Sequence, residues 1–180
     1  MQINRGMLKG EKTRIRPLEE ADLERLYLWY SDPDFALAVS GGWPPASFLR
    51  REEIAARFYE DDPNRYAIVN TGDELIGTIG FDQVNPPARS VRLFLGLGSP
   101  EIWGLGFGAD ALGAFCRYLF EQCNFRRLTA ETWDGNTRAA ACYRRAGFVL
   151  EGTLREAYYV EGRYRHGLIF ALLKKDFYSQ

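Results

Sequence analysis

The stretch that most constrains this chain runs from Leu93 to Cys123 and reads as strand, glycine-rich turn, helix. Leu93-Phe94-Leu95-Gly96-Leu97-Gly98 is a short apolar run of strand type, broken by Ser99-Pro100-Glu101-Ile102. Trp103-Gly104-Leu105-Gly106-Phe107-Gly108-Ala109 follows. Beyond it, Leu112, Phe115, Cys116, Leu119, Phe120 and Cys123 recur at i, i+3, i+4, i+7, i+8 and i+11, the apolar stripe of a helix. A glycine turn feeding a helix N-terminus aims several unpaired backbone N–H groups one way, and the helix dipole adds partial positive charge there. Such a turn suits phosphate or pyrophosphate.

The bulk properties exclude several alternatives. The 180 residues are read as one domain, 1–180, long enough for a substantial core. A net charge of −1 gives no bulk attraction to nucleic acid or to an anionic membrane. The segment Met1–Gly6 lacks the apolar core of a signal peptide, and no run reaches transmembrane length. Cys116, Cys123 and Cys142 show no C-x-x-C spacing and are read as reduced thiols, which suits a cytoplasmic protein. His166 is the sole histidine, so a histidine-rich metal site is excluded and no metal is expected.

In chain order, Thr13–Leu18 alternates as a first strand ending at Pro17, and Leu23, Leu26, Tyr27 and Tyr30 mark a helix face stopped by Ser31-Asp32-Pro33-Asp34. Phe35–Pro45 reads as an irregular loop and a candidate pocket wall. Ser47 is read as the cap of a second helix running to Tyr59 with Ile54, Ala55 and Phe58 inward. Tyr66–Val69, Leu75–Phe81 and Ser90–Gly98 have short connections at Thr71-Gly72-Asp73 and Asn85-Pro86-Pro87-Ala88, which forces antiparallel neighbours. Leu128–Trp133 follows a helix and so is expected parallel to the strand before it. Asn136 is read as the N-cap of a helix over Thr137–Ala146 with Gly147 at C′, and a last hairpin turns at Glu161-Gly162-Arg163. The expected class is α/β with a mixed sheet, in the order β-α-α-β-β-β-α-β-α-β-β.

Gly104-Leu105-Gly106-Phe107-Gly108-Ala109 also satisfies G-x-G-x-x-G/A, with Glu131 on the next strand about 20 residues on, as in dinucleotide-binding folds. A preceding antiparallel meander, a single βαβ unit and a closing hairpin oppose that reading. A P-loop is excluded because no G-K-S/T follows the glycines. The remaining fit is a resemblance to the GNAT superfamily of acetyl-CoA-dependent N-acetyltransferases. Its signature Q/R-x-x-G-x-G/A is similar to Trp103–Gly108, with Trp103 in place of Gln or Arg. That replacement points to the branch of ribosomal-protein N-terminal and spermidine/diamine acetyltransferases. Gly10–Pro17 resembles that branch's opening strand. Asn136, Ala139, Tyr143 and Ala146-Gly147-Phe148 resemble its N…A…Y-x-x-x-G-F helix, and Glu151–Tyr158 with Gly162-Arg163-Tyr164 resembles its closing hairpin.

The resemblance implies two central strands splayed around a pantetheine arm. Leu95, Gly96 and Leu97 would pair with that arm, and Trp103, Gly104, Leu105, Gly106, Phe107, Gly108 and Ala109 would hold the pyrophosphate. Asn136 and Arg138 or Arg144 would lie along the cofactor. Tyr143 is the candidate general acid to the departing thiolate, and Glu131 a weaker candidate base beside a water chain. Arg92 stands where relatives often carry Glu, and His166 departs from their Asp; a place for His166 at the acceptor is one option, an ordinary hairpin histidine the other. The expected activity is acetyl transfer from acetyl-CoA to a primary amine: a small amine, an antibiotic amine or a protein N-terminus. The expected state is a homodimer. A CoA-binding sensor that has lost catalysis and a dinucleotide-dependent oxidoreductase are the competing readings.

Overall fold

The computed structural model describes residues 8–40, 50–56 and 63–179. The chain opens with β1 (Leu8–Lys9) and β2 (Thr13–Pro17), an antiparallel pair in which Thr13 and Ile15 face inward. A turn of 3-10 helix leads into α1 (Leu23–Tyr30), and buried Asp22 there receives two hydrogen bonds from Arg16, at 2.7 and 2.9 Å.

The segment read as a loop from Phe35 begins as a helix, α2 (Pro33–Ser40). The Asp-Pro pair ends one helix and starts the next. Asp32 Oδ1 accepts from the N–H groups of Asp34 (2.8 Å) and Phe35 (3.3 Å), and Pro33 sits where a helix needs no N–H donor. The Gly41–Pro45 part of that loop lies outside the described residues. So do Ser47, Phe58 and Tyr59 of the second expected helix; what is described is α3 (Arg51–Ala55), with Ile54 buried.

The meander follows as expected: β3 (Arg65–Asn70), β4 (Leu75–Asn85) and β5 (Ser90–Leu97), all antiparallel. Then come α4 (Phe107–Glu121), β6 (Arg127–Trp133), α5 (Thr137–Arg145), β7 (Val149–Val160), β8 (Arg163–Leu173) and α6 (Lys174–Phe177). One eight-stranded sheet results, in the order β1-β2-β3-β4-β5-β6-β8-β7. The additions to the expected order are β1, α2 and α6.

The decisive register is between β5 and β6. They pair in parallel only from Ser90 with Arg127 to Leu93 with Ala130. Past that point β5 stays on β4 while β6 stays on β8, so the two strands part. The apolar stripe of α4 packs Leu112, Phe115, Leu119 and Phe120 against Ile68, Ile79, Leu93 and Leu128. A second core, with Leu26, Trp29, Phe35 and Ile54, lies with Ala67 and Val69 of β3. Residues of β3 alternate between the two cores, as the two-residue period of a strand covered on both faces requires. Trp29 also reaches Gly98, where an added Cβ would come within 1.8 Å of its ring.

Candidate active site

The gap between β5 and β6 opens into a cleft of about 220 Å3. Gly98 N–H donates to Ile76 O at 2.9 Å, which fixes the phase of the β4–β5 ladder. Alternation then turns the backbone groups of Gly96 to β4 and those of Leu95 and Leu97 to the gap. The Leu97 carbonyl already accepts from Trp103 Nε1 at 2.8 Å, which ties the strand end to the glycine turn. Gly96 serves by having no side chain: a Cβ there would lie 3.0 Å from Val39 Cγ2.

Gly104 and Gly106 have φ of 79° and 92°, the left-handed region that favours glycine. Gly106 caps α4, so the N–H groups of Phe107, Gly108 and Ala109 have no helical acceptor. Gly108 lets α4 approach α5, since a Cβ would lie 3.0 Å from Cys142 Sγ.

Of the residues expected along a cofactor, Leu95, Gly96 and Leu97 line the cleft from β5, and Trp103, Gly104, Gly106, Gly108 and Ala109 from the turn. Asn136 and Arg138 line it from α5. Asn136 is the N-cap: its Oδ1 accepts from Ala139 N at 3.2 Å, while its Nδ2 donates to Ala38 O of α2 at 3.0 Å. The guanidinium of Arg138 lies 3.9 Å over the Trp103 ring. The side chains of Leu105 and Phe107 do not line the cleft. Leu105 is exposed, and Phe107 packs on the core. Arg144 is absent from the lining too and leans over the Phe170 ring. Cys142 and Arg145 line the cleft instead, and no motif in the sequence singles them out. Their signal is helical phase, because residues 138, 142 and 145 share one face of α5. Burial pushes the Cys142 thiol up to about 11, so it is protonated near neutral pH.

A second cavity of about 210 Å3 is lined by both splayed strands, adjoins the first and shares Leu95, Gly96, Asn136 and Ala139 with it. Tyr143, Glu131 and Arg92 all line it. Tyr143 is buried between Phe148 and Phe170, with its hydroxyl 3.4 Å from the Glu131 carbonyl oxygen. Burial pushes this phenol well above the ordinary tyrosine value. Arg92 is clamped by Asp82 through Nε (2.9 Å) and Nη2 (2.7 Å), and its Nη1 lies 3.6 Å from Glu131 Oε2. Arg92 is thus held by one acid and holds a second. Tyr158 adds an aromatic wall, its hydroxyl also shifted upward by burial.

His166 lines neither cavity. Its Nδ1 accepts from Glu156 N at 3.1 Å, within an irregularity of β7 between Leu154 and Tyr158. It fills a gap in the β7–β8 ladder, which is a hairpin role. Among the described residues no cluster of acidic, histidine or cysteine side chains could hold a metal ion, and no helix is long and apolar enough to cross a membrane.

Comparison with known proteins agrees with this geometry. Residues 12–149 match the family described as "Acetyltransferase (GNAT) domain". The chain is 28% identical over 174 residues to an uncharacterized N-acetyltransferase, p20, of Bacillus licheniformis, covering 94% of this chain and 97% of that one. It is 24% identical over 177 residues to the spermidine N(1)-acetyltransferase of Escherichia coli K12, covering 97% and 92%. The crystal structure of Vibrio cholerae spermidine N-acetyltransferase with CoA and spermine superposes with a TM-score of 0.81 at 22% identity, covering 92% of this chain and 98% of that one. The matched family, the splayed strands and the glycine turn at a helix N-terminus give one conclusion: the chain belongs to the GNAT family, as an acetyl-CoA-dependent N-acetyltransferase.

Proposed function

We propose that the chain moves an acetyl group to a primary amine by direct attack with both substrates bound, and that Tyr143 is its general acid. The observation that carries this reading is the pair of adjoining cavities that meet at β5. They share Leu95 and Gly96 as a common wall, so a donor in one and an amine in the other meet without a covalent relay. Cys142, the thiol nearest such a relay, stays protonated and is a poor nucleophile.

The residues present fit acetyl-CoA. Two glycines at positive φ and the open first turn of α4 form a cradle of free amides. Arg138 and Arg145 add positive charge along the cleft. When bound, acetyl-CoA supplies a thioester carbonyl and a thiolate leaving group. The Leu97 N–H is turned to the gap and donates to an oxygen that gains negative charge there. Tyr143 keeps its proton until a thiolate needs it, which its upward-shifted pKa favours. Glu131 accepts a proton from the incoming ammonium directly or through water, and Arg92 holds its carboxylate in place.

The acceptor is a small amine, an antibiotic amine or a protein N-terminus. The whole chain, 1–180, works as one domain, and three unpaired cysteines suit a reducing cytoplasm. A homodimer belongs to the same reading, and light scattering in solution tests it. The central experiment is thiol release from acetyl-CoA with pooled polyamines, amino acids, aminoglycosides and short peptides. Release with one pool is expected. Tight acetyl-CoA binding with no release from any pool would leave a CoA-binding sensor in its place.

A further inference from the structure

The glycine turn is held from outside by a lysine of the opening stretch Gly10–Pro17, a residue to which the sequence assigns no part in the cofactor site. Lys12 lies in the tight turn between β1 and β2, and its Nζ donates to the Leu105 carbonyl at 3.0 Å. The same Nζ is 3.6 Å from where a Cβ on Gly106 would sit. The backbone that carries Lys12 is clasped by Asp110 of α4. Asp110 Oδ1 accepts from Glu11 N (2.7 Å), and Oδ2 accepts from Lys12 N (3.1 Å) and Thr13 Oγ1 (2.6 Å). The approach is so close that a Cβ on Gly10 would strike Asp110 Oδ2 at 2.2 Å. A carboxylate in the first turn of α4 thereby spends its charge on the N-terminal hairpin rather than leaving it bare beside an anion site.

The geometry of one peptide gives this clasp its use. The Leu105–Gly106 peptide is planar, so a carbonyl drawn toward Lys12 sends the Gly106 N–H the opposite way. Gly106 lines the cofactor cleft at a φ of 92°. Glycine takes either sign of φ at little cost, so nothing in the residue itself prevents this peptide from flipping. A flip would replace an N–H donor with a carbonyl oxygen and repel a phosphate. An ammonium on the Leu105 carbonyl makes the flip cost a charge-assisted hydrogen bond.

We propose that Lys12 is a positioning residue for the pyrophosphate of acetyl-CoA, locking the Leu105–Gly106 peptide with its N–H available to the anion. The proposal rests on the glycine turn being the pyrophosphate site. Lys12→Met is the variant of choice, because the Asp110 clasp uses the Lys12 backbone and survives the change. Calorimetric titration compares CoA with pantetheine, which has the same arm and no phosphate.

The expected result is CoA binding weakened about ten-fold in Lys12→Met, with pantetheine binding changed by less than about two-fold. Lys12→Arg, which keeps a cationic donor, should restore most of the loss. In the transferase assay the KM for acetyl-CoA should rise while kcat at saturation stays the same. Unchanged CoA affinity in Lys12→Met would overturn the proposal, and so would equal losses for CoA and pantetheine, which mean a general disturbance of the cleft. Wild-type protein that fails to bind CoA would overturn the cofactor reading itself, a result distinct from a wild type that binds and a variant that matches it.

Discussion

The two cavities that meet at β5 are made from different materials. On the cofactor side the groups proposed to meet the arm and the pyrophosphate are backbone: Leu95 and Leu97 at a splayed strand, Gly104 and Gly106 at positive φ, and the open amides of α4. In the second cavity, the proposed acceptor side, they are side chains: Tyr143, Glu131, Arg92, Thr78 and Tyr158. A backbone site is damaged by what is added to it, and a side-chain site by what is removed. Substitutions on the two sides should therefore separate binding from turnover.

The largest effect should come from removing one oxygen on the side-chain face. Tyr143→Phe keeps the ring packed on Phe148 and Phe170, and its hydroxyl has only a long contact, at 3.4 Å, with the Glu131 carbonyl. Stability should hardly change. Turnover should fall about 100-fold with CoA affinity intact, as stopped-flow thiol release and calorimetry would show. The sign of the pH dependence follows from burial. A general acid works while protonated, and a raised pKa moves its loss to higher pH. Wild-type kcat should therefore stay level on the alkaline side to about pH 9.5, close to an unperturbed phenol's value. A kcat unchanged by Tyr143→Phe would remove this residue from the chemistry and erase the contrast between the two faces.

The matching test on the backbone face adds atoms. A Cβ at Gly104 meets nothing within 4 Å, so a substitution there costs only backbone conformation, at a φ of 79°. Gly104→Val should force the turn to reopen and weaken CoA binding about 30-fold. At saturating acetyl-CoA its kcat should match wild type, the reverse of Tyr143→Phe.

Glu131→Gln should fall between the faces. Its backbone carbonyl contacts Tyr143 and is untouched, while its carboxylate is lost to Arg92 and to the acceptor. Arg92 keeps both hydrogen bonds to Asp82, so the strand pair survives. We expect kcat/KM for the amine to drop about ten-fold, with the KM for acetyl-CoA unchanged. An equal rise in the acetyl-CoA KM would mean that the shared wall of the two cavities transmits more than their separate linings imply.

The same contrast explains what the sequence discloses. A backbone site needs glycines, and glycines at a strand–helix junction are visible in one line of sequence. So are the short turns that force the meander, and the Asn136 and Gly147 caps of α5, now seen as a side-chain acceptor at 3.2 Å and a φ of 90°. Asp32-Pro33 is less legible because one signal has two meanings, ending α1 and opening α2. His166 is misleading for a similar reason. A lone histidine suggests chemistry, yet its Nδ1 replaces a ladder acceptor for Glu156 N, and no local pattern announces such an irregularity. Lys12 could not be found at all from spacing, since its partner carbonyl is 93 positions away.

Arg144 and Arg145 give the smallest and sharpest test, because they are neighbours in sequence and differ only in helical phase. Arg145 lies on the face of α5 that carries Arg138 and Cys142 into the cofactor cleft, whereas Arg144 lies 5.4 Å over the Phe170 ring. Both are exposed, so any attraction to a bound phosphate acts through water and is screened by salt. Arg145→Gln should raise the KM for acetyl-CoA about three-fold at low ionic strength, and the difference should vanish in about 0.5 M salt, where the Debye length is only a few ångströms. Arg144→Gln should leave the KM unchanged at every salt concentration. Its loss of contact with Phe170 should appear instead as a slightly lower melting temperature. If both variants raise the KM alike, the charge acts as a diffuse field along α5 and helical phase is irrelevant. If only Arg144→Gln does so, the cofactor runs along a different face of α5 from the one its cleft implies.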